Sequence, residues 1–293
     1  MAITNDTRMH TAERTGIGLR LPHIAEVVAT RPPVGWLEVH PENFLANPHA
    51  LELLTDLARD YPLSVHTVGI SIGSADGIDR SHLRRLRTLV DRLNPILVSG
   101  HLAWSSYDGM YLNDLLPLPY TQETLRVVIA HLGEVQDVLG RAYVIENPST
   151  YVSLATSTMS ELEFLHALVD TTGCRILCDV SNIYVSGHNM GFDPYRVIDQ
   201  FPATAVSELH VGGFTPEDDE STPGETLLVD THAAAVAEEA WELYAYAVRQ
   251  FGPRPTIVEW DNDLPSLATL LGEAAKADRL RDAATEVSHA GTR

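Results

Sequence analysis

The stretch Ala142-Tyr143-Val144-Ile145-Glu146-Asn147-Pro148-Ser149 decides the fold. It reads as a short buried strand that ends in a carboxylate, an amide and a proline. Seven other segments have the same form, most with His, Asp or Glu at or near the end: 16–21, 35–40, 63–68, 96–101, 174–180, 206–211 and 256–261. Helical stretches alternate with them over 22–30, 48–60, 81–93, 121–139, 160–172, 233–249 and 265–282, and Thr121 is placed to cap the longest. Short strands alternating with helices predict a parallel sheet joined by right-handed crossovers. Eight such units in 293 residues predict an α/β protein, a single-domain TIM (β/α)8 barrel. The expected boundaries are an N-terminal tail over 1–15, the barrel over 16–285 and a C-terminal tail over 286–293.

Composition narrows the partners. Asp and Glu number 40 against 20 Lys and Arg, a net charge of −20. Such a field repels phosphates, so nucleic acid is not an expected partner. The cationic side chains are nearly all Arg, with Lys276 the single lysine. Two cysteines, Cys174 and Cys178, cannot form a disulfide framework. Four apart in a strand, they share a face about 13 Å apart and read as buried packing. No stretch is long and apolar enough to span a membrane, and the first residues lack a signal-peptide core. The expectation is a cytoplasmic protein without a membrane partner.

The chemistry gathers at the strand ends, because a TIM barrel builds its active site at the C-terminal mouth. Alternation puts Glu208 and His210 on one face, and Ile257, Glu259 and Asp261 on one face of the last strand. The inward list is then His66, His101, Glu146, Asp179, His210 and Glu259, with Asp230 and His232 on a loop nearby. A single buried histidine is usually structural, but this many polar groups at one mouth would be costly to desolvate without a metal. No thiolate is among them, which argues against structural zinc. His66, His101 and Glu146 form a two-histidine, one-carboxylate set suited to non-haem iron(II), and Glu146 is placed to bridge to a second ion on Asp179, His210 and Glu259. Asn182, Asp230 and His232 are candidates for a third. Zinc or manganese accepts the same ligands, so composition leaves the metal open. Glu38, His40 and Asn43, together with Asp261, are expected to touch substrate or orient ligands. Trp104, Tyr107 and Tyr111 sit on a mouth loop that either lines a peptide groove or folds over the barrel. The acidic run 217–220 reads as a solvated loop.

Eight motifs resemble those of the multinuclear non-haem iron-dependent oxidative enzymes, the family of the methanobactin-maturing oxidase. They are Val65-His66-Thr67, Ser99-Gly100-His101-Leu102-Ala103-Trp104, Ile145-Glu146-Asn147-Pro148, Asp179-Val180-Ser181-Asn182-Ile183-Tyr184-Val185, Gly191-Phe192-Asp193, Glu208-Leu209-His210, Leu228-Val229-Asp230-Thr231-His232 and Ile257-Val258-Glu259-Trp260-Asp261-Asn262-Asp263. They run in order over nearly the whole chain, 16–271. The resemblance implies two or three iron ions in mixed Fe(II)/Fe(III) states, with dioxygen as co-substrate. It implies oxidation of a side chain, often Cys and in other members Asp or Asn, in a ribosomally synthesised precursor peptide. A small partner protein that captures the peptide's leader is also implied. Carried over by residue, Glu146, His66 and His101 hold the first iron and are catalytic. Glu146, Asp179, His210 and Glu259 hold the second, and Asn182, Asp230 and His232 serve a third. Two positions depart from the family pattern: Met190 stands where Asn-His-Gly-Phe-Asp has its histidine, and Phe214 stands where a second histidine follows the Glu208-Leu209-His210 motif. Both bear on the third site, for which His188 is a possible substitute ligand. The competing expectation is a metal-dependent hydrolase or isomerase of the endonuclease IV or xylose isomerase-like barrel type. The net charge argues against the DNA-cutting version.

Overall fold

The computed structural model describes residues 14–218, 224 and 226–290. Eight strands close into a barrel: β1 Gly16–Gly18, β2 Leu37–Val39, β3 Leu63–Thr67, β4 Leu97–His101, β7 Val144–Glu146, β8 Arg175–Asp179, β9 Val206–Gly212 and β12 Thr256–Glu259. Two antiparallel hairpins lie outside it, β5 Trp104–Tyr107 with β6 Met110–Leu116, and β10 Thr215–Asp218 with β11 Thr226–Val229. Around the ring the order is β1-β12-β9-β8-β7-β4-β3-β2, every neighbour parallel. Parallel strands are covered on both faces, and β1, β2, β3, β7 and β12 are buried at every position. A TIM barrel is therefore the fold, as the alternating pattern predicts.

Register does the positioning. His101 lies beside Glu146, Asp179 beside His210, and His66 beside Ser99. Parallel neighbours are about 4.8 Å apart, so paired residues that point inward become paired ligand atoms. At the other end of the barrel Trp36 and Ile257 pack with Ile96 and Leu97 as an apolar plug. The helices bury one stripe each. Thr121 caps α5 Gln122–Leu139 through the Thr124 amide, as expected. Ser160 caps α6 Glu161–Thr172 in a reciprocal box with Glu163.

The structure corrects several boundaries. The loop expected after His101 is largely the β5–β6 hairpin. Its turn, Asp108-Gly109, has φ of 50° and 69°, the left-handed pair that a two-residue hairpin needs. The residues after Asp179, assigned no helix from sequence, form α7 Val180–Met190, capped by Asp179 itself. α9 begins at Glu238 rather than 233. α10 spans Leu267–Ala290, so most of the expected C-terminal tail continues a helix. Glu217 and Asp218 lie in β10, not in a loop, while 219 and 220 fall outside the described residues, as does nearly all of the expected N-terminal tail. Cys174 and Cys178 are buried free thiols. Among the described residues no helix is long and apolar enough to cross a membrane.

Candidate metal centre

The barrel mouth holds a half-open cavity of about 370 Å³. On its floor three lone-pair atoms converge. His66 Nε2 lies 3.2 Å and His101 Nε2 3.3 Å from Glu146 Oε2, and the two imidazole nitrogens are 3.1 Å apart. The Ser99 hydroxyl bonds His66 Nδ1 at 2.8 Å, so the ring is aimed and its Nε2 faces inward. Burial depresses both histidines, His66 well below its usual value and His101 to about 4, which keeps both imidazoles neutral and their lone pairs free.

A second group shares Glu146. Ligand atoms of Glu146, Asp179, His210 and Glu259 all lie within 4.8 Å of one another. Asp179 is fixed by a clamp between strands: its amide donates to Asn147 Oδ1 and its carbonyl accepts from Asn147 Nδ2, each at 3.0 Å. One Asp179 oxygen accepts the Asn182 amide at 2.7 Å; the other is buried without a partner. His210 Nδ1 is 3.1 Å from Glu259, and its Nε2 is 3.4 Å from Glu38 and 3.5 Å from Glu208. Burial lifts Glu146 well above the carboxylate range and Asp179 to about 7. Burial opposes a charge on His210, but the facing Glu38 and Glu259 outweigh it and raise its pKa well above the usual imidazole value.

The third group is joined through one hydroxyl. Ser149 Oγ donates to Asn182 Oδ1 at 2.6 Å and reaches Asp230 at 3.1 Å, and Asp230 lies 2.8 Å from His232 Nε2. Asn182 Nδ2 also comes within 3.4 Å of Glu146. His232 sits at a left-handed φ of 45°, held by a bond from its amide to Gly213 and by amides of Asp261 and Asn262 on its carbonyl. Gly212 makes room for its ring: a Cβ there would overlap the imidazole.

The other expected residues divide. Glu38 is fully buried, accepts from Ser64 at 2.8 Å, and forms a further potential ligand group with His66 and His210. His40 lines the mouth, accepts an Arg20 N–H at 3.1 Å on Nε2, and forms another potential ligand group with Glu259 and Asp261. Asp261 accepts from Arg20 Nε at 2.6 Å and lies 3.5 Å from His232. Asn43 is exposed on α2 Glu42–Leu45 and does not line the mouth, because the chain turns away after His40. His188 is exposed too, and bonds the Thr226 carbonyl at 2.9 Å; its place at the far end of α7 keeps it out of the cluster. Phe214 stacks on Tyr184 at 5.4 Å. Met190 lines a different cavity.

Arg20 is the chief residue the sequence reading missed. It is 5% exposed and pairs with Asp261, with Glu259 at 3.7 Å. Burial opposes its charge, but Asp261, Glu259 and Glu38 outweigh that and raise its pKa. A charged residue closing the apolar run 16–21 was the available signal. Glu208, on the same face as His210, is fully buried with neither carboxylate oxygen hydrogen-bonded and is a second such residue. Two neutral imidazole nitrogens and a carboxylate oxygen within 3.3 Å, with unpartnered carboxylates around them, are a donor set for cations, and the residues fit one or more metal ions.

Comparison with known proteins agrees in fold and goes further in sequence. The solved structures of a D-tagatose 3-epimerase-like protein and an L-ribulose 3-epimerase superpose with TM-scores of 0.59 each, at 14% identity; the first match covers 96% of this chain and all of the other. At that identity they show the TIM-barrel fold alone. A UPF0276 protein of Chromobacterium violaceum is 46% identical over 273 residues, 93% of this chain and 96% of its own length. One from Vibrio vulnificus is 47% identical over 266 residues, 90% of each. Residues 14–282 match the family described as RiPP precursor modification enzyme MbnB/TglH/ChrH, RiPP denoting ribosomally synthesised, modified peptides. This chain belongs to the MbnB/TglH/ChrH family of RiPP precursor modification enzymes.

Proposed function

We propose that this protein is an iron- and dioxygen-dependent oxidase that modifies a side chain, Cys or else Asp or Asn, of a ribosomally synthesised precursor peptide. The observation that carries the reading is the convergence of His66, His101 and Glu146 beside Asp179, His210 and Glu259 in the cavity at the barrel mouth. Membership of a precursor-modifying family supports the peptide substrate. His66, His101 and Glu146 would hold one iron. Glu146, Asp179, His210 and Glu259 would hold a second, and Asn182, Asp230 and His232 a third. Iron bound there supplies dioxygen activation and one-electron oxidation of the substrate carbon.

The protein's own groups do the rest. Ser99 fixes the His66 ring, and the Asn147 clamp fixes the Asp179 carboxylate. Arg20 holds Asp261, which with Asp230 flanks the His232 ring. Tyr111 from the β5–β6 hairpin lines the mouth, and Tyr107 and Met110 at its tip are more than half exposed, a surface suited to a peptide or a small leader-capturing partner protein.

Metal analysis of protein purified without oxygen, with Mössbauer spectra of an iron-57 sample, tests the reading. Two or three irons per chain with a mixed-valent pair are expected. Zinc or manganese with little iron would overturn it in favour of hydrolase or isomerase chemistry.

A further inference from the structure

A second cavity, of about 420 Å³, lies beside the mouth. It falls within the range of small-ligand pockets, roughly 300–1,000 Å³. Its walls are mostly apolar, with Met159, Leu162, Ile183 and Met190 among them, and Val152 and Phe192 at its edge are exposed. One carboxyl interrupts this lining. Glu161, at the start of α6, accepts from the Tyr120 hydroxyl at 3.1 Å, and no Arg, Lys or His among the described residues pairs with it. The two cavities share a wall, since Leu115, Pro148 and Ser149 line both. Ser149 is three residues beyond Glu146, so at most about 10 Å of chain separates them.

We propose that this cavity receives a long-stemmed cationic side chain, Arg or Lys, of the same peptide whose neighbouring residue reacts at the mouth. This rests on the peptide-oxidase reading for the identity of the chain, but not for the chemistry of the pocket. An apolar side chain would strip water from Glu161 and return nothing. A cationic tip forms a charge-assisted bond with Glu161, while its methylene stem lies along the apolar walls. A net charge of −20 favours approach of such a residue. The cavities adjoin along the wall that Leu115, Pro148 and Ser149 share, so the reacting and anchoring residues are near neighbours in the peptide. Burial pushes Glu161 up to about 7, opposed by the Tyr120 hydroxyl, which is the one other titratable group lining the cavity among the described residues. The cation therefore binds more tightly as pH rises through that value, because the carboxylate must be ionised to pair.

The test uses the metal-free, full-length protein labelled with methyl-13C methionine. Two of its five methionines, Met159 and Met190, line the cavity. The probes are n-hexylguanidinium and the neutral n-hexylurea. The guanidinium should shift the Met159 and Met190 methyl signals saturably and bind about tenfold tighter than the urea at pH 8, a gap that narrows at pH 6. Glu161→Gln should remove the preference while leaving urea binding unchanged. Acetyl-Cys-Ala-Ala-Arg-amide should shift the same two signals more strongly than its citrulline counterpart. Unmoved signals, equal affinities, or a preference that survives in Glu161→Gln would overturn the pocket, and equal shifts from the two peptides would overturn its peptide occupant. None of these readouts involves iron, so the pocket can fail with the oxidase reading intact, and the iron content can fail with the pocket intact.

Discussion

Glu146 is the residue on which the mouth turns. Its Oε2 faces both His66 and His101, and Asn182 approaches its other oxygen. Glu146→Gln keeps the volume and removes the charge, so the barrel should stay folded, with Tm within a few degrees, while bound iron falls by about half or more. Full iron content in that variant would remove Glu146 from the bridging role. Arg20 makes the opposite case. Its loss leaves Asp261 and the buried Glu259 without the guanidinium, with the His210 and His232 rings beside them, a break that costs roughly 3 kcal/mol. Arg20→Leu should lose about that much in urea unfolding, and adding Asp261→Asn should restore part of it. A double variant no more stable than Arg20→Leu alone would mean that the pair is not the source of the cost.

At the scale of elements, β4 depends on a missing side chain. A Cβ at Gly100 would run into the Tyr143 hydroxyl and both oxygens of Thr67, where those two hydroxyls bond each other. Gly100→Ala should destabilise by about 1–3 kcal/mol and, by moving the adjacent His101, lower iron content; calorimetry with metal analysis reads both. The start of α6 carries a pH signature. Glu161 is held at about 7, above its ordinary 4.5, so the folded state favours its neutral form. Its contribution to stability therefore falls as pH rises from about 4.5 to 7 and is level above. Glu161→Gln should raise Tm relative to wild type by about 3 °C or more at pH 8, and by far less at pH 4.5. The same difference at both pH values would show that Glu161 is ionised in the fold. The hairpin β5–β6 and helix α7 show where local reading stops. Asp108-Gly109 is a legible hairpin turn inside a stretch between two regular elements, whereas α7 begins at Val180 because Asp179 both ends β8 and caps the helix, two roles that one sequence position does not display separately.

For the whole molecule, the mouth concentrates carboxylates and imidazoles that solvent no longer screens. Burying oxygens of Glu146, Asp179 and Glu208 without partners is costly when they are charged, and a bound cation would offset that cost. Metal-loaded protein should therefore melt higher than metal-free protein, by an amount that grows with free metal concentration, and uptake should weaken in acid because the imidazoles must be neutral to ligate. A scanning-calorimetry series in ferrous ion without oxygen reads this; a Tm that ignores ferrous ion would place the stabilising cation elsewhere.

The sequence by itself determined the barrel, because eight short apolar runs alternating with amphipathic helices have few other ways to bury both strand faces. It also determined which side chains meet, since His66, His101, Glu146, Asp179, His210 and Glu259 end strands whose ends share one mouth. Tertiary structure alone decided their pairing. Strand register, which depends on neighbours far apart in the chain, set His101 against Glu146 and Asp179 against His210. It also decided that Arg20 stands among the acids, that Asn43 and His188 point elsewhere, and that the Tyr120 hydroxyl meets the Glu161 carboxylate on the wall of a second cavity. Those relations come from packing between distant segments, and no local pattern of residues records them.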